Sequence, residues 1–250
     1  MISASQIKYI RSLQMQKYRK EYKAYVVEGD KMVLEYLQNN APIQYIATTE
    51  YFLEKNKTLL QQIEPSKILI CQYFELQKIS SHKTAAQVLL VVDNAEEINA
   101  YYKSGWSLAL DTVQDPGNMG TLIRIADWFG MDKIICANGS ADVFNPKVVQ
   151  STMGGLLRIP INYVNLSDFF KNNKQPVYAA VLDGEKMQAI QNAKPGIILL
   201  GNESKGINNE LLQHATNRIA IGGSGAAESL NVAVAAGIIC HHFTQFQKSI

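Results

Sequence analysis

The feature that most constrains the fold is a series of short, uninterrupted apolar runs separated by segments of helical periodicity. From Trp106 onward it reads WSLALD, a helix near Met119 to Phe129, KIICA, a helix near Pro146 to Met153, then strands at Arg158 to Tyr163, Val177 to Val181, Gly196 to Leu200 and Arg218 to Ile221. Strands without polar alternation must be covered on both faces, and their alternation with helices predicts a mostly parallel α/β sheet. A last helix is expected from about Ser229 to Phe246, with Leu230, Val234, Ile238 and His241 on one face.

A smaller α/β series precedes it. Strands are expected at Ala24 to Glu28, Ile43 to Ala47, Lys67 to Cys71 and Gln87 to Val92, with helices at Asp30 to Gln38 and Phe52 to Gln62. The polar stretch from Asp93 to Gly105 contains no core-building run. It predicts a domain of residues 1–95, a linker of 96–105 and a second domain of 106–250.

No apolar run reaches the roughly 18 to 20 residues that span a bilayer, and the opening MISASQIKYIRSL has no signal-type apolar core. A cytoplasmic protein with no membrane association is expected. Cys71, Cys136 and Cys240 are far apart in apolar segments, which suits a reducing compartment. His241 and His242 are adjacent on a helix and diverge, so no metal site is expected.

Charge is unevenly spread. The first 31 residues hold seven cations (Lys8, Arg11, Lys17, Arg19, Lys20, Lys23, Lys31) against three acids, while the rest of the chain is slightly negative. On one continuous helix Lys8, Arg11 and Arg19 share a sector, with Tyr9, Tyr18, Tyr22 and Tyr25 interleaved. Such a segment is either a solvated basic face or a surface that holds a polyanion and stacks bases. The candidates for polyanion contact, which would be RNA contact if the polyanion is a nucleic acid, are Lys8, Arg11, Lys17, Arg19 and Lys20.

Parallel α/β sheets bind ligands at the carboxyl ends of their strands, and three loops there carry polar chemistry. After WSLALD, Asp115-Pro116-Gly117 reads as a tight turn and Asn118 as a helix cap. Arg124 follows on that helix. It either pairs with Asp127 one turn on or faces the crevice to meet a phosphate or developing oxyanion. After GIILL, the loop Gly201-Asn-Glu-Ser-Lys-Gly206 lacks the ending of a P-loop, and its Glu203 needs backbone amides, a cation or a substrate as partner. After RIAI, the run Gly222 to Asn231 opens the last helix, with Ser229 as the helix cap or a site residue. It does not follow the GxGxxG pattern, and no ribose-binding acid follows it, which disfavours a nicotinamide-dependent oxidoreductase.

Together, DPGNMGTLIRIADWFG, LLGNESKGI and ESLNVAVAAGI resemble the three signature motifs of the SpoU/TrmH family of RNA ribose methyltransferases, within the SPOUT superfamily. NPKVVQSTMGGLLRIP matches the stretch between the first two motifs. The amino-terminal IKYIRSLQMQKYRK and VVEGDKMVLEYL are similar to the substrate-binding domain often fused to these enzymes.

The resemblance implies a carboxy-terminal sheet with a deep trefoil knot, an L30-like first domain, a homodimer and an RNA substrate, ribosomal RNA ahead of tRNA. It also implies S-adenosylmethionine as cofactor, bound by the second and third motifs and the Leu182 to Glu185 turn. Carried over by motif, the catalytic positions are Asn118, Arg124, Glu203, Ser229 and Asn231. The cofactor positions are Leu182, Asp183, Gly184, Leu200, Gly201, Asn202, Glu203, Gly206, Ile221, Gly222, Ser229 and Leu230. Ile221-Gly222-Gly223 departs from the usual third motif. In the family account the arginine is the general base. A free guanidinium keeps its proton to above about pH 12, so Arg124 either loses it transiently or stays charged and stabilises the alkoxide. The alternative is a non-catalytic RNA-binding relative.

Overall fold

The computed structural model describes residues 2–94, 105–190 and 193–244. The chain divides into two compact units, one of residues 1–96 with 142–157 and one of 97–141 with 158–250. Residues 142–157, expected in the second domain, therefore belong with the first. The expected linker lies, except for Gly105, outside the described residues, as does the end of the last helix beyond Thr244.

In the first unit, β1 (Ala24–Glu28), β2 (Ile43–Thr48), β3 (Ile68–Ile70) and β4 (Val88–Asp93) form a sheet in the order β1-β4-β2-β3. Strand β4 is antiparallel to both neighbours and β2 is parallel to β3. Side chains alternate across it. Tyr25, Val27, Val88, Leu90 and Val92 enter one core with Met32, Val33 and Tyr36 of α3 (Asp30–Gln38). Ala24, Val26, Leu89 and Val91 enter the other, against Ile10 of α1 (Ala4–Ser12). Covering both faces is what removes polar alternation from these strands.

The basic start is not one helix. Ser3 and Gln6 form a capping box on α1, which ends at Ser12, and α2 (Gln16–Tyr22) follows a turn. Arg19 explains the break. Its guanidinium donates to the Leu13 carbonyl at 2.7 Å and through Nε (3.1 Å) and a terminal nitrogen (2.7 Å) to the Asp142 carboxylate. Arg19 is 4% exposed, so it does not join Lys8 and Arg11 on an RNA-facing surface, and that expectation is corrected. The expected helix over 52–62 is likewise two, α4 (Glu50–Lys55) and α5 (Lys57–Leu60). A further helix, α6 (Tyr73–Ile79), opens on a capping box of Gln72 and Glu75. Its roughly two turns give a weak periodic signal. Asn145 caps α8 (Pro146–Thr152).

In the second unit, β5 (Ser107–Leu110), β6 (Ile134–Ala137), β7 (Ile161–Val164), β8 (Val177–Lys186), β9 (Ile197–Leu200) and β10 (Asn217–Ala220) form an all-parallel sheet, as expected, in the order β10-β8-β9-β5-β6-β7. One face packs on α9 (Leu166–Lys171) and α10 (Asn209–Leu212) through Leu166, Phe170 and Leu211. Both helices are too short for sequence periodicity to reveal. Helices α7 (Pro116–Trp128) and α11 (Val232–Thr244) pack side by side. Trp106, Tyr178 and Phe243 form a closed aromatic trio with centroids 5.0 to 5.2 Å apart. Among the described residues no helix is long and apolar enough to cross a membrane.

Candidate active site in the second unit

Each of the three polar loops leaves the carboxyl end of a strand, and the first two are tied down by backbone hydrogen bonds. After β5, Thr112 takes a left-handed φ of 60°. Asp115, not Asn118, caps α7, accepting from the Asn118 amide at 2.8 Å. Pro116 is the first residue of that helix, so the segment read as a tight turn is the start of α7. This frees the Asn118 side chain for other work.

After β9, Asn202 and Gly206 exchange two backbone hydrogen bonds of 2.9 Å, closing a tight loop around Glu203. The Asn202 side chain accepts from the amides of Ser204 (3.0 Å) and Lys205 (3.1 Å) and donates to the Thr112 carbonyl at 2.8 Å, stitching this loop to the first. Gly201 has no room for a side chain, since a Cβ there would lie 2.3 Å from the Gly206 carbonyl carbon. Asp111 accepts from the Asn208 amide at 2.7 Å, holding the loop's far side.

After β10, the run to Asn231 is exposed and irregular, and α11 begins at Val232, three residues later than expected. Asn231 caps it, accepting from the amides of Ala233 (2.9 Å) and Val234 (3.3 Å). Ser229 is therefore not the cap.

These anchors fix one polar chain through all three loops. The cap commits the Asn231 side-chain oxygen, so its Nδ2 donates, reaching Asn118 Oδ1 at 2.9 Å. That leaves the Asn118 Nδ2 facing the Glu203 carboxylate, to which it donates at 2.9 Å. The charge that β9 delivers to the strand end thus has the partner it requires.

Arg124 is exposed and has no hydrogen bond or ion pair among the described residues. Its candidate structural partner is taken: Arg158 grips Asp127 with two hydrogen bonds of 2.8 Å. Sequence reading did not single out Arg158, which lies 31 residues from Asp127 and on no shared helix. Ser229 is exposed and likewise has no hydrogen bond among the described residues.

The remaining positions border the same loops. Between Ala179 and Glu185, β8 spends five extra residues against one step of β10, which sends Leu182 and Asp183 outward. Leu182 is 77% exposed and Leu230 49%. Gly184 permits this close passage, since a Cβ there would come within 2.7 Å of the Ile219 backbone. Leu200 is buried at the end of β9, and Ile221 leads from β10 into Gly222 and Gly223, where an added Cβ would meet nothing closer than 4.0 Å. Among the described residues no cluster of three or more His, Cys, Asp or Glu could hold a metal ion.

An all-parallel sheet whose polar loops are joined at the strand ends by the Asn231–Asn118–Glu203 chain defines a ligand site of the open α/β class. Residues 105–241 match the SpoU rRNA Methylase family and residues 4–90 the MRM3-like substrate binding domain. The chain belongs to the SpoU rRNA methylase family.

A relative in Bacillus subtilis, the 23S rRNA (guanosine(2553)-2'-O)-methyltransferase RlmP, is 31% identical over 238 residues, covering 93% of each chain. A TrmH-family RNA methyltransferase structure from Porphyromonas gingivalis superposes with a TM-score of 0.88 at 37% identity, over 98% of this chain and 99% of that one. An AdoMet-bound rRNA methyltransferase from Sinorhizobium meliloti gives 0.87 at 28% identity, over 100% and 98%.

Proposed function

We propose that this protein transfers a methyl group from S-adenosylmethionine to a ribose 2'-hydroxyl of ribosomal RNA. The observation that carries this is the Asn231–Asn118–Glu203 chain, which joins the three loops that family membership makes the methyl-transfer site. RlmP and the S. meliloti enzyme support ribosomal RNA and the methyl donor respectively.

The residues present fit the cofactor. Leu182 and Leu230 are exposed apolar side chains suited to cover a flat base, and the glycines at 184, 201 and 206 bring backbone close to the pocket rim without side-chain obstruction. Leu182, Asp183, Gly184, Leu200, Gly201, Asn202, Glu203, Gly206, Ile221, Gly222, Ser229 and Leu230 would line it. When bound, the sulfonium supplies an electrophilic methyl group.

The protein's part is to orient the ribose and manage one proton. For O2' to accept that methyl group, the ribose must be held in line with it and the hydroxyl proton must be removed. Arg124, without a hydrogen bond or ion pair among the described residues, would either first release its own proton to solvent and then take the hydroxyl's, or stay charged and hold the alkoxide while the hydroxyl proton passes to solvent. Asn118, Ser229 and Asn231 orient the sugar, and Glu203 fixes Asn118.

The rest of the reading follows the family. The trefoil knot is carried over from the family, and the β8 bulge that ends at Glu185 against β10 marks one of the loops it would involve. Trp128, Val234 and Ile238 leave apolar area exposed along α7 and α11, which supports a homodimer through those helices. The first unit is read as an L30-like RNA-binding domain whose Lys8, Arg11, Lys17 and Lys20 contact phosphates, in a cytoplasmic enzyme that needs no metal. Mapping ribose methylation in ribosomal RNA from a strain lacking the protein tests the assignment. The loss of one 2'-O-methyl that returns on complementation is expected, and an unchanged map of ribosomal RNA would reject it.

A further inference from the structure

The first unit carries a connected row of tyrosine rings that methyl transfer does not use. Tyr18 and Tyr22, one turn apart on α2, lie nearly parallel, 13° between planes and 5.9 Å between centroids. Tyr9 of α1 meets Tyr22 edge-on at 5.1 Å and Tyr45 of β2 at 6.4 Å. Tyr9 is anchored from below. Its hydroxyl donates to Gln44 at 2.5 Å, and Gln44 donates to Asp93 at 2.6 Å.

Tyr22 is thus braced on two sides yet 40% exposed, and neither its hydroxyl nor that of Tyr18 has a hydrogen bond among the described residues. One cation touches the pair and others lie on the same two helices. The Lys17 ammonium lies 5.6 Å from the Tyr18 ring centre, and Lys8, Arg11 and Lys20 are exposed, while Glu21 is the one acid between Ala4 and Tyr22.

We propose that the Tyr18–Tyr22 pair is a stacking platform for unpaired bases of the RNA substrate, with the neighbouring cations holding the phosphates on either side. The proposal rests on the RNA-substrate reading above. A ring already held by its neighbours loses little freedom when a base stacks on it, so most of the stacking energy appears as affinity. A duplex keeps its base faces covered and can use only the cations, so the platform selects a single-stranded segment. The positive charge on these two helices favours a polyanion over a protein partner.

The test uses the full-length protein, a fluorescent ten-nucleotide oligouridylate and an RNA duplex of ten base pairs. Tyr22→Leu is expected to weaken oligouridylate binding by about 5- to 100-fold, the range for loss of one base–aromatic stack, with the salt dependence and duplex affinity unchanged. Tyr22→Phe should bind as the wild type does.

Equal weakening for strand and duplex, or no weakening, overturns the platform. If Tyr22→Leu lowers the unfolding midpoint, photo-crosslinking of the wild type to 5-iodouridine-substituted oligouridylate decides. Adducts on Tyr18 or Tyr22 support the proposal and adducts confined to other residues overturn it. Wild-type protein that binds neither RNA rejects the RNA-domain reading itself, whereas binding of both without a Tyr22 effect rejects the platform alone.

Discussion

Arg158 grips Asp127 with two parallel hydrogen bonds of 2.8 Å, and in doing so removes the one internal partner that helical spacing offered to Arg124. An arginine one turn from an aspartate on α7 is left facing solvent because a distant arginine, arriving just before β7, has the better geometry. A planar bidentate fork outcompetes a flexible i,i+3 pair, which is worth only a few tenths of a kcal/mol.

Arg124 is accordingly expected to serve chemistry, not stability. Arg124→Ala should reduce methyl transfer by at least about two orders of magnitude, the scale of one lost oxyanion-stabilising group. The unfolding midpoint and S-adenosylhomocysteine affinity should stay put. Near-normal turnover on a proven RNA substrate would remove Arg124 from the mechanism.

Asn118→Asp probes the polar chain with almost no change of shape. It places a second carboxylate where Nδ2 now donates to Glu203 at 2.9 Å, so attraction becomes like-charge repulsion. Turnover should fall sharply, and Asn118→Asp with Glu203→Gln should recover part of it by restoring a donor. A single variant as active as wild type would show that the Asn118–Glu203 contact is incidental.

Gly201→Ala tests the closed loop after β9. Its Cβ would lie 2.3 Å from the backbone carbon of Gly206, which cannot move without breaking the Asn202–Gly206 hydrogen bonds. Calorimetry should show loss of S-adenosylhomocysteine binding, while Gly223→Ala, which meets open space, should leave it intact.

Arg19 and its basic neighbours should separate cleanly. Arg19→Met removes one side of a buried pair and leaves Asp142 without its cation, so denaturant unfolding should show a loss of about 3 kcal/mol. Lys17→Gln with Lys20→Gln should leave stability unchanged. It should lower the slope of log RNA affinity against log salt by up to about 1.4, at about 0.7 per phosphate on a single strand. Equal salt slopes for wild type and the double variant would assign those lysines to a solvated face.

Burial pushes the Cys136 and Cys240 thiols up to about 12. In the unfolded chain they ionise near the ordinary thiol value, about 8.5. Between those limits the unfolded state holds fewer protons than the native one, so these thiols make stability fall as pH rises from about 9 toward 12. In the native protein at pH 8 a thiol reagent should label neither residue, and urea should expose both. Rapid native labelling would contradict their burial.

The sequence alone determined the classes of element that local physics dictates. Uninterrupted apolar runs became strands buried on both faces, β1 falling on Ala24–Glu28 as read, and α3 on Asp30–Gln38, because burial pattern and strand or helix periodicity are properties of neighbouring residues. The motif residues Asn118, Glu203 and Asn231 were legible through their resemblance to the family's three motifs, whereas local pattern alone marked only polar segments after strand ends.

Their pairing was not legible. Asn118 meets Glu203 across 85 residues and Asn231 across 113, and which of several polar side chains wins each partner depends on backbone positions that no local spacing encodes. The same reason governs the helix caps, where Asp115 and Asn231 displaced Asn118 and Ser229. It also governs Arg19, read as a surface cation and drawn inward by Asp142, 123 residues away in the chain. Charge and periodicity say that a side chain needs a partner, but only the folded backbone decides which one lies within three ångströms.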